Sequence, residues 1–222
     1  MGVAIVFAQK QAGAGKTTLL AHLSRAWSAS GASVAVFDYD ARKVLTRWMK
    51  SHRQNNVTWL GSELWLARND IRAAKARHDV VLVDCPSFPD MALAGMVREC
   101  DLVVSPVRPI SQDKIGATTV LKTARTAKVP MYALLNRANQ PNLQPYRAEL
   151  AERGISTLST TLGEHREYAS LMVNGFSGFN KENNPAIDEI SELRAEIDGL
   201  VGRNAPSADH DGPVYMYGSG NR

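Results

Sequence analysis

The sequence reads Lys10-Gln11-Ala12-Gly13-Ala14-Gly15-Lys16-Thr17-Thr18 between the apolar segment Val3–Ala8 and a stretch with helical periodicity. The first turn of a helix has unpaired backbone N–H groups and the positive end of the helix dipole, so it attracts phosphate. Glycines before the helix let the backbone approach an anion without obstruction by a Cβ atom. The order strand, glycine-containing loop, helix therefore predicts a phosphate-binding loop. The alternative is a glycine-rich turn that binds no nucleotide.

This loop also predicts contacts to a nucleotide and its metal. In loops of this type a lysine reaches the β- and γ-phosphate oxygens, and the hydroxyl of the next residue ligates Mg²⁺. Here those residues are Lys16 and Thr17. ATP and Mg²⁺ are therefore the expected substrate and cofactor. The predicted nucleotide contacts within the loop are Gly13, Ala14, Gly15, Lys16, Thr17 and Thr18.

Short apolar segments alternate with helical patterns along the chain. The predicted strands are Val3–Ala8, Ser33–Asp38, Val57–Leu60, Val80–Asp84, Leu102–Pro106, Met131–Asn136 and Ser156–Ser159. The predicted helices are Thr17–Ser30, Lys43–Lys50, Arg68–His78, Asp90–Cys100, Ser111–Ala127, Leu143–Arg153, Glu164–Asn174 and Pro185–Val201. Several strands are apolar at successive residues, which is typical of parallel strands covered on both faces. The alternation predicts an α/β fold with a three-layer, doubly wound, mostly parallel sheet flanked by helices. Together with the phosphate loop, it predicts a fold of the P-loop NTPase type.

Three aspartates stand at the ends of predicted strands. Asp38 and Asp40 occupy alternate positions, so both project to the same side if the extended conformation continues. Asp84 closes an apolar strand, as does the carboxylate that holds Mg²⁺ through water in nucleotide hydrolases. Because the carboxyl ends of strands face the ligand crevice in open α/β sheets, all three are candidate site residues. The alternative for the first two is a pair of solvated side chains.

The loop and these aspartates resemble the motifs of the ParA/MinD family, whose deviant Walker A motif reads K-G-G-x-G-K-[ST]. The similarity covers nearly the whole chain, from about residue 3 to residue 201. It implies a dimerisation switch for DNA partitioning or cargo positioning that binds ATP and hydrolyses it slowly, stimulated by a partner. In this role Lys16 would act on the phosphates. The Asp-x-Asp pair resembles a family motif in which Asp40 orients or activates the attacking water and Asp38 lies close to the Mg²⁺.

The resemblance extends to a switch segment and to the base pocket. Asp84-Cys85-Pro86 resembles the family's D-x-P motif, which implies that the following segment, Ser87–Met91, acts as a switch. Asn136 matches the adenine-recognition position, where an amide both donates to and accepts from the base. Pro109 follows the preceding strand and is implied to border the base pocket. Plain turns at Asn136 and Pro109 are the alternative.

The loop departs from the family motif at three positions. Aligned on the Gly15-Lys16-Thr17 triplet, the family's signature lysine falls on Gln11 and its first glycine on Ala12, while Lys10 stands one residue early. We expect Ala12 to need a positive φ, which costs about 1 kcal/mol relative to glycine. Three hypotheses follow. Lys10 reaches the partner's phosphates and is catalytic, a lysine elsewhere substitutes, or hydrolysis and dimer switching are weakened while nucleotide still binds.

The resemblance also implies partners. It predicts a homodimer that sandwiches ATP, an ATPase-stimulating partner protein, and sequence-independent DNA binding by basic residues in the ATP state. The candidate DNA contacts are Arg137, Arg147, Arg153, Arg166 and Lys181. Acidic residues are interleaved with them, so a solvated surface of mixed charge is the alternative.

Composition narrows the class of protein only broadly. The chain has 222 residues, a formal net charge of +4 and two cysteines, so neither a disulfide framework nor a metal-binding cysteine pattern is present. Its apolar runs are far shorter than the roughly 20 residues of a membrane span, and no signal peptide is visible. We expect a cytoplasmic protein, with nucleoid association implied by the resemblance. Residues 1–202 are predicted to form the ATPase domain and residues 203–222 a disordered tail.

Two other functions remain open. One is a nucleotide-binding accessory factor of conjugative or T-DNA transfer with weak or no hydrolysis, which the altered loop favours. The other is an ATP-dependent small-molecule synthetase of the same ATPase group. A synthetase needs a substrate pocket with its own acid or base residues, and the histidines show no pairing in the sequence.

Overall fold

A seven-stranded sheet forms the centre of the computed structural model, which describes residues 1–61, 63–87, 90–175 and 184–203. Three of the sequence predictions therefore concern residues outside the described ranges. They are the tail beyond Arg203, the candidate DNA contact Lys181, and residues 88 and 89 of the predicted switch segment.

The strands confirm the predicted order. They are β1 Val3–Phe7, β2 Val34–Asp38, β3 Val57–Leu60, β4 Val80–Asp84, β5 Leu102–Val107, β6 Met131–Asn136 and β7 Ser156–Leu162. Their order across the sheet is β3-β2-β4-β1-β5-β6-β7. Every strand pairing in the described part of the chain is parallel, which confirms the doubly wound α/β fold.

Helices connect the strands. They are α1 Lys16–Ala29, α2 Val44–Ser51, α3 Ala67–Lys75, α4 Asp90–Val97, α5 Ser111–Ala127, α6 Gln144–Glu152, α7 Arg166–Asn174 and α8 Pro185–Leu200. The last helix begins as its sequence predicts, because Pro185 occupies the first turn and the Asn184 side chain accepts a hydrogen bond from the Ala186 N–H. Among the described residues, no helix combines the length and the apolar character that crossing a bilayer requires.

Both faces of the sheet are buried, which explains the uninterrupted apolar strands. Along β1, Ala4 and Val6 pack into one core, while Ile5 and Phe7 pack into the other. Each of these four side chains is fully buried. A strand covered on both sides has no solvent face, so the alternation of polar and apolar residues disappears.

Several elements differ from the sequence predictions in their bounds. The helices α3 and α4 each end three residues before their predicted ends, at Lys75 and Val97. The last strand continues to Leu162, three residues beyond its predicted end, and its pairing with β6 shifts register between Ala133 and Leu135. A 3-10 turn at Leu64–Leu66 precedes α3 and was not predicted. Beyond the predicted end of the last strand, Thr160 and Thr161 carry no apolar signal for a strand, and β7 is at the edge of the sheet, where one side is unpaired.

The register places the candidate site at one edge of the sheet. Asp84 at the end of β4 is paired with Asp38 at the end of β2 and with Phe7 at the end of β1. The phosphate loop follows β1 directly. Since these parallel strands end side by side, the loop and both carboxylates meet at the carboxyl edge, where ligands bind in open α/β sheets.

Candidate nucleotide-binding site

The phosphate loop turns at its two glycines. Gly13 has a φ of 77° and Gly15 a φ of 96°, both in the left-handed region that favours glycine. Ala12 is not among the residues with positive φ, so the expected strain at this position was wrong. The loop therefore tolerates alanine at this position, because the residues that need a left-handed conformation are the two glycines that the sequence retains.

Gly15 is required for a second reason. A Cβ atom at this position would lie 2.3 Å from Asn136 Nδ2, which donates a hydrogen bond to the Ala14 carbonyl across 2.7 Å. The end of β6 thus packs directly against the start of α1. This contact brings the predicted base-recognition residue, Asn136, next to the phosphate loop.

Lys16 is buried at the first turn of α1, with 7% of its surface exposed. Its Nζ donates to the Gln9 carbonyl at 3.2 Å and, more weakly, to Ser87 Oγ at 3.5 Å. The Lys16 ammonium group thus donates its hydrogen bonds to neutral oxygens. This arrangement suits a lysine that exchanges those oxygens for phosphate oxygens.

Lys10 lies on the same segment of the chain. Its Nζ donates to the Ser87 carbonyl at 3.0 Å, so both loop lysines converge on the residue that follows the Asp84-Cys85-Pro86 motif. This contact lies within a single copy of the protein. The role of Lys10 at a partner's nucleotide stays a prediction.

Thr17 and Asp84 form the part of the site that fits a magnesium ion. Thr17 Oγ1 donates to Asp84 Oδ2 at 2.8 Å. Burial raises the pKa of Asp84 to about 7, although the Thr17 hydrogen bond and the Lys16 charge oppose the rise. Asp84 Oδ1 is buried and has no hydrogen-bond partner among the described residues. A hydroxyl and a carboxylate oxygen that lacks a partner are ligands that Mg²⁺ prefers.

Asp38 lies beside Asp84 in the sheet, and its oxygens already accept hydrogen bonds. Oδ2 accepts from the N–H and the hydroxyl of Thr46, at 2.8 Å and 3.0 Å, and Oδ1 accepts from the Asp40 N–H at 3.1 Å. The buried carboxylate therefore fixes the start of α2 against β2. Its predicted place near the Mg²⁺ stays a prediction.

Asp40 lies at the mouth of the site and pairs with Arg42. The Arg42 guanidinium donates to both carboxylate oxygens, at 3.0 Å and 3.3 Å, and the Arg42 N–H donates to Oδ1 at 2.9 Å. These bonds lower the pKa of Asp40, so the carboxylate is ionised at neutral pH. To orient a water molecule, Asp40 has to leave part of this pairing.

A cavity of about 600 Å³ opens beside the phosphate loop. Its lining residues come from the loop, the end of β6, and the start of α7: Gly15, Thr18, Leu19, Asn136, Arg137, Gly163, Glu164, His165, Arg166, Tyr168, Ala169 and Met172. Asn136 thus lines a cavity beside the phosphate loop, and its role in base recognition stays a prediction. Pro109 is not among the lining residues, and the structure does not bring it to this cavity.

A carboxylate that the sequence did not predict as part of the site binds three residues that line the cavity. Glu189 on α8 accepts hydrogen bonds from the Gly163 N–H at 3.0 Å and the Tyr168 hydroxyl at 2.7 Å. Its other oxygen lies 2.8 Å from His165 Nε2. Glu189 is about 25 residues distant in sequence from its partners, so only the fold reveals the connection.

The basic residues predicted to contact DNA lie in different settings. Arg137 and Arg166 line the cavity, and Arg153 is exposed at the end of α6. Arg147 binds the edge strand instead, because its guanidinium donates to Thr157 Oγ1, Thr161 Oγ1 and the carbonyls of residues 158 and 159. Arg147 therefore has a structural role that its sequence position did not reveal.

Comparison with known proteins agrees with this geometry. A family model described as the CobQ/CobB/MinD/ParA nucleotide binding domain matches residues 5–205. The maintenance of carboxysome distribution protein A of Halothiobacillus neapolitanus is 26% identical over 206 residues, covering 87% of this chain and 95% of that protein.

Solved structures share the fold at low identity. A Cyanothece McdA–ATP complex is similar with a TM-score of 0.73 at 12% identity, covering 91% of this chain and 97% of the other. The cobyrinic acid a,c-diamide synthase of Mycobacterium smegmatis, bound to an ATP analogue and magnesium, has a TM-score of 0.71 at 15% identity, covering 95% of this chain and 100% of the other. An McdA protein and a synthase thus have the same architecture, so the fold alone does not choose between their functions.

Proposed function

Because the chain belongs to the family of CobQ/CobB/MinD/ParA nucleotide binding domains, we propose that it is an ATPase switch that positions DNA or another large cargo. The observation that carries the proposal is the Thr17–Asp84 hydrogen bond at 2.8 Å, at the carboxyl edge of the sheet beside the glycine loop. A hydroxyl and a buried carboxylate at the base of a phosphate loop are the parts that nucleotide hydrolases use.

The loop residues bind and orient the nucleotide. Lys16 exchanges the Gln9 carbonyl and the Ser87 hydroxyl for phosphate oxygens, and Gly13 and Gly15 let the backbone N–H groups approach them. Thr17 and Asp84 would hold Mg²⁺, which when bound spreads the charge of the phosphates. Asn136 donates to and accepts from the base in the adjoining cavity.

Asp40 orients the attacking water in this proposal. Its carboxylate is ionised, lies two residues beyond the end of β2, and is within reach of Arg42. A carboxylate of low pKa is a weak base, so it acts mainly by positioning the water in line with the γ-phosphate. Part of the Arg42 pairing has to open before hydrolysis, which is consistent with a slow basal rate.

We further propose that ATP joins two copies of the chain across this edge of the sheet. Three large apolar side chains near the site support a contact surface. Met91 is 88% exposed, Ile115 is 61% exposed and Ile110 is 40% exposed, and all three follow β4 or β5 at their carboxyl ends. The dimer would then bind DNA without sequence preference and release it after a partner protein stimulates hydrolysis.

A second candidate function is a nucleotide-binding accessory factor that hydrolyses ATP weakly or not at all. Two observations favour it. Gln11 stands where the family motif has its signature lysine, and the Asp40 carboxylate is engaged by Arg42. Both features reduce hydrolysis without removing the phosphate loop.

ATP turnover with and without double-stranded DNA separates these functions. The switch predicts slow turnover that DNA or a partner protein raises and that Asp40→Ala abolishes. The accessory factor predicts ATP binding without turnover in any of these mixtures. A synthetase predicts turnover only when a small carboxylic acid and an amine donor are supplied, with DNA having no effect.

A further inference from the structure

The side-chain amide of Gln9 binds the start of the phosphate loop, and both its oxygen and its nitrogen form hydrogen bonds. It follows β1 and has 1% of its surface exposed. Its Oε1 accepts from the backbone N–H groups of Lys10 and Gln11, at 2.7 Å and 3.3 Å. Its Nε2 donates to the carbonyls of Pro106 and Asp113, each at 3.1 Å. A carboxamide has two donor hydrogens and one acceptor oxygen, so every polar atom is used and the orientation is fixed.

Gly116 provides the space that Gln9 occupies. It lies inside α5, where glycine is less favourable than any residue except proline. A Cβ atom there would lie 1.9 Å from Gln9 Oε1, a separation that requires the amide to move. Packing against the Gln9 amide therefore explains why a glycine stands at this helical position. The amide is enclosed between the end of β1 and α5.

A second contact binds the phosphate loop at Ala12, one residue after Gln11. The Arg108 guanidinium donates to the Ala12 carbonyl at 3.3 Å and forms a bidentate ion pair with Asp113, at 2.8 Å and 2.9 Å. Asp113 is fully buried, and its own carbonyl is one of the two that Gln9 binds. The corner between β5 and α5 thus fixes the phosphate loop at residues 10, 11 and 12.

We propose that Gln9 is the positioning residue of the phosphate loop and that Gly116 acts through it. By fixing the peptide groups of Lys10 and Gln11, the amide sets the direction in which the chain enters the turns at Gly13 and Gly15. This inference rests on the proposed nucleotide binding only for its effect on affinity. The effect on the loop itself is independent of any nucleotide.

The experiment compares Gly116→Ala, Gln9→Ala and the double variant with Gly199→Ala as the matched control. Gly199 lies in the last turn of α8, and nothing is within 4 Å of a Cβ atom placed there. Amide hydrogen exchange of Lys10 and Gln11 is measured by NMR in the nucleotide-free proteins. Affinity for a fluorescent ATP analogue is measured by titration, and folding of each variant is checked by thermal unfolding.

The proposal predicts fast exchange at Lys10 and Gln11 in Gly116→Ala and Gln9→Ala, and normal exchange in Gly199→Ala. Affinity for the analogue should fall about tenfold in both loop variants, the equivalent of one or two buried hydrogen bonds. In the double variant, Gly116→Ala should add no further loss, because the side chain with which it collides is gone.

Equal exchange protection in Gly116→Ala and Gly199→Ala would overturn the proposal, as would additive losses in the double variant. Absence of analogue binding in the unmodified protein would instead overturn the proposed function. The hydrogen-exchange measurement would still decide whether Gln9 fixes the backbone of Lys10 and Gln11. If Gln9→Ala does not fold, Gly116→Ala and its control decide the question alone.

Discussion

Thr17 Oγ1 donates a hydrogen bond to Asp84 Oδ2 across 2.8 Å, joining the first turn of α1 to the end of β4. The second carboxylate oxygen is buried and has no hydrogen-bond partner among the described residues. Leaving a buried acceptor unpaired costs stability in the nucleotide-free protein. A bound ligand that contacts this oxygen would remove that cost.

Asp84→Asn should therefore separate metal binding from stability. The amide removes a buried charge but supplies only one neutral oxygen, so the concentration of Mg²⁺ needed for half-maximal ATP binding should rise at least about tenfold. The melting temperature of the nucleotide-free variant should equal or exceed that of the unmodified protein. Calorimetric titration and thermal unfolding measure the two effects. Glu192→Gln on the exposed surface of α8 is the control, and an equal Mg²⁺ requirement in both variants would contradict the assignment.

Lys16→Ala tests the lysine of the phosphate loop. The buried ammonium group stands at the first turn of α1, where the loop is predicted to hold the phosphates, so its loss should reduce turnover by a factor of about 100 or more. Lys122→Ala on the exposed surface of α5 removes the same charge elsewhere and should leave turnover unchanged. Steady-state phosphate release measures both. A Lys16→Ala protein with normal turnover would place the phosphates elsewhere.

The sequence predicted the site best where neighbouring residues form a recognisable motif. The glycine loop, Lys16 and Thr17 are contiguous, and the pairing of β2 with β4 brings the two strand-end aspartates, Asp38 and Asp84, together as expected. Parallel strands with apolar residues on both faces also made the α/β fold predictable. Their pattern requires helices on each side of the sheet.

The rest depends on contacts between distant residues. Gln9 is adjacent to the phosphate loop in sequence, but its partners Pro106 and Asp113 are about 100 positions away. From its sequence, Arg147 looks like an ordinary surface cation. Only the structure shows that its guanidinium donates to a carbonyl of the edge strand β7. Pro109 follows a strand as predicted, yet it is not among the residues that line the cavity.

Arg147→Ala should lower stability and not act as a DNA-contact variant. Its guanidinium makes four hydrogen bonds to the edge strand, and their loss should cost about 2 kcal/mol in the free energy of unfolding. Arg153→Ala, six residues further along at the end of α6 and exposed, should cost almost nothing. Urea unfolding measures both. Equal stability of the two variants would show that the Arg147 contacts contribute nothing.

His22 should make the protein less stable in weak acid. Burial lowers the pKa of His22 from 6.5 to about 4, so between these values the unfolded chain binds a proton that the folded protein refuses. Stability is therefore fully present above pH 6.5 and falls as the pH drops towards 4. The loss between pH 7.5 and 5 should be about 2 kcal/mol.

His22→Gln isolates this contribution. The glutamine does not titrate, so urea unfolding at pH 7.5 and pH 5 should show a smaller loss of stability by that amount. An unchanged pH dependence in His22→Gln would mean that His22 is protonated in the folded protein.

The central claim is that ATP controls the association of two copies of this chain through the edge of the sheet that carries Lys16 and Asp84. Its most direct test is the molar mass of Asp40→Ala, measured by light scattering with Mg²⁺ and ATP, with Mg²⁺ and ADP, and without nucleotide. The account predicts a dimer with ATP and a monomer in the other two conditions, because hydrolysis no longer removes the γ-phosphate. The same mass in all three conditions would contradict it.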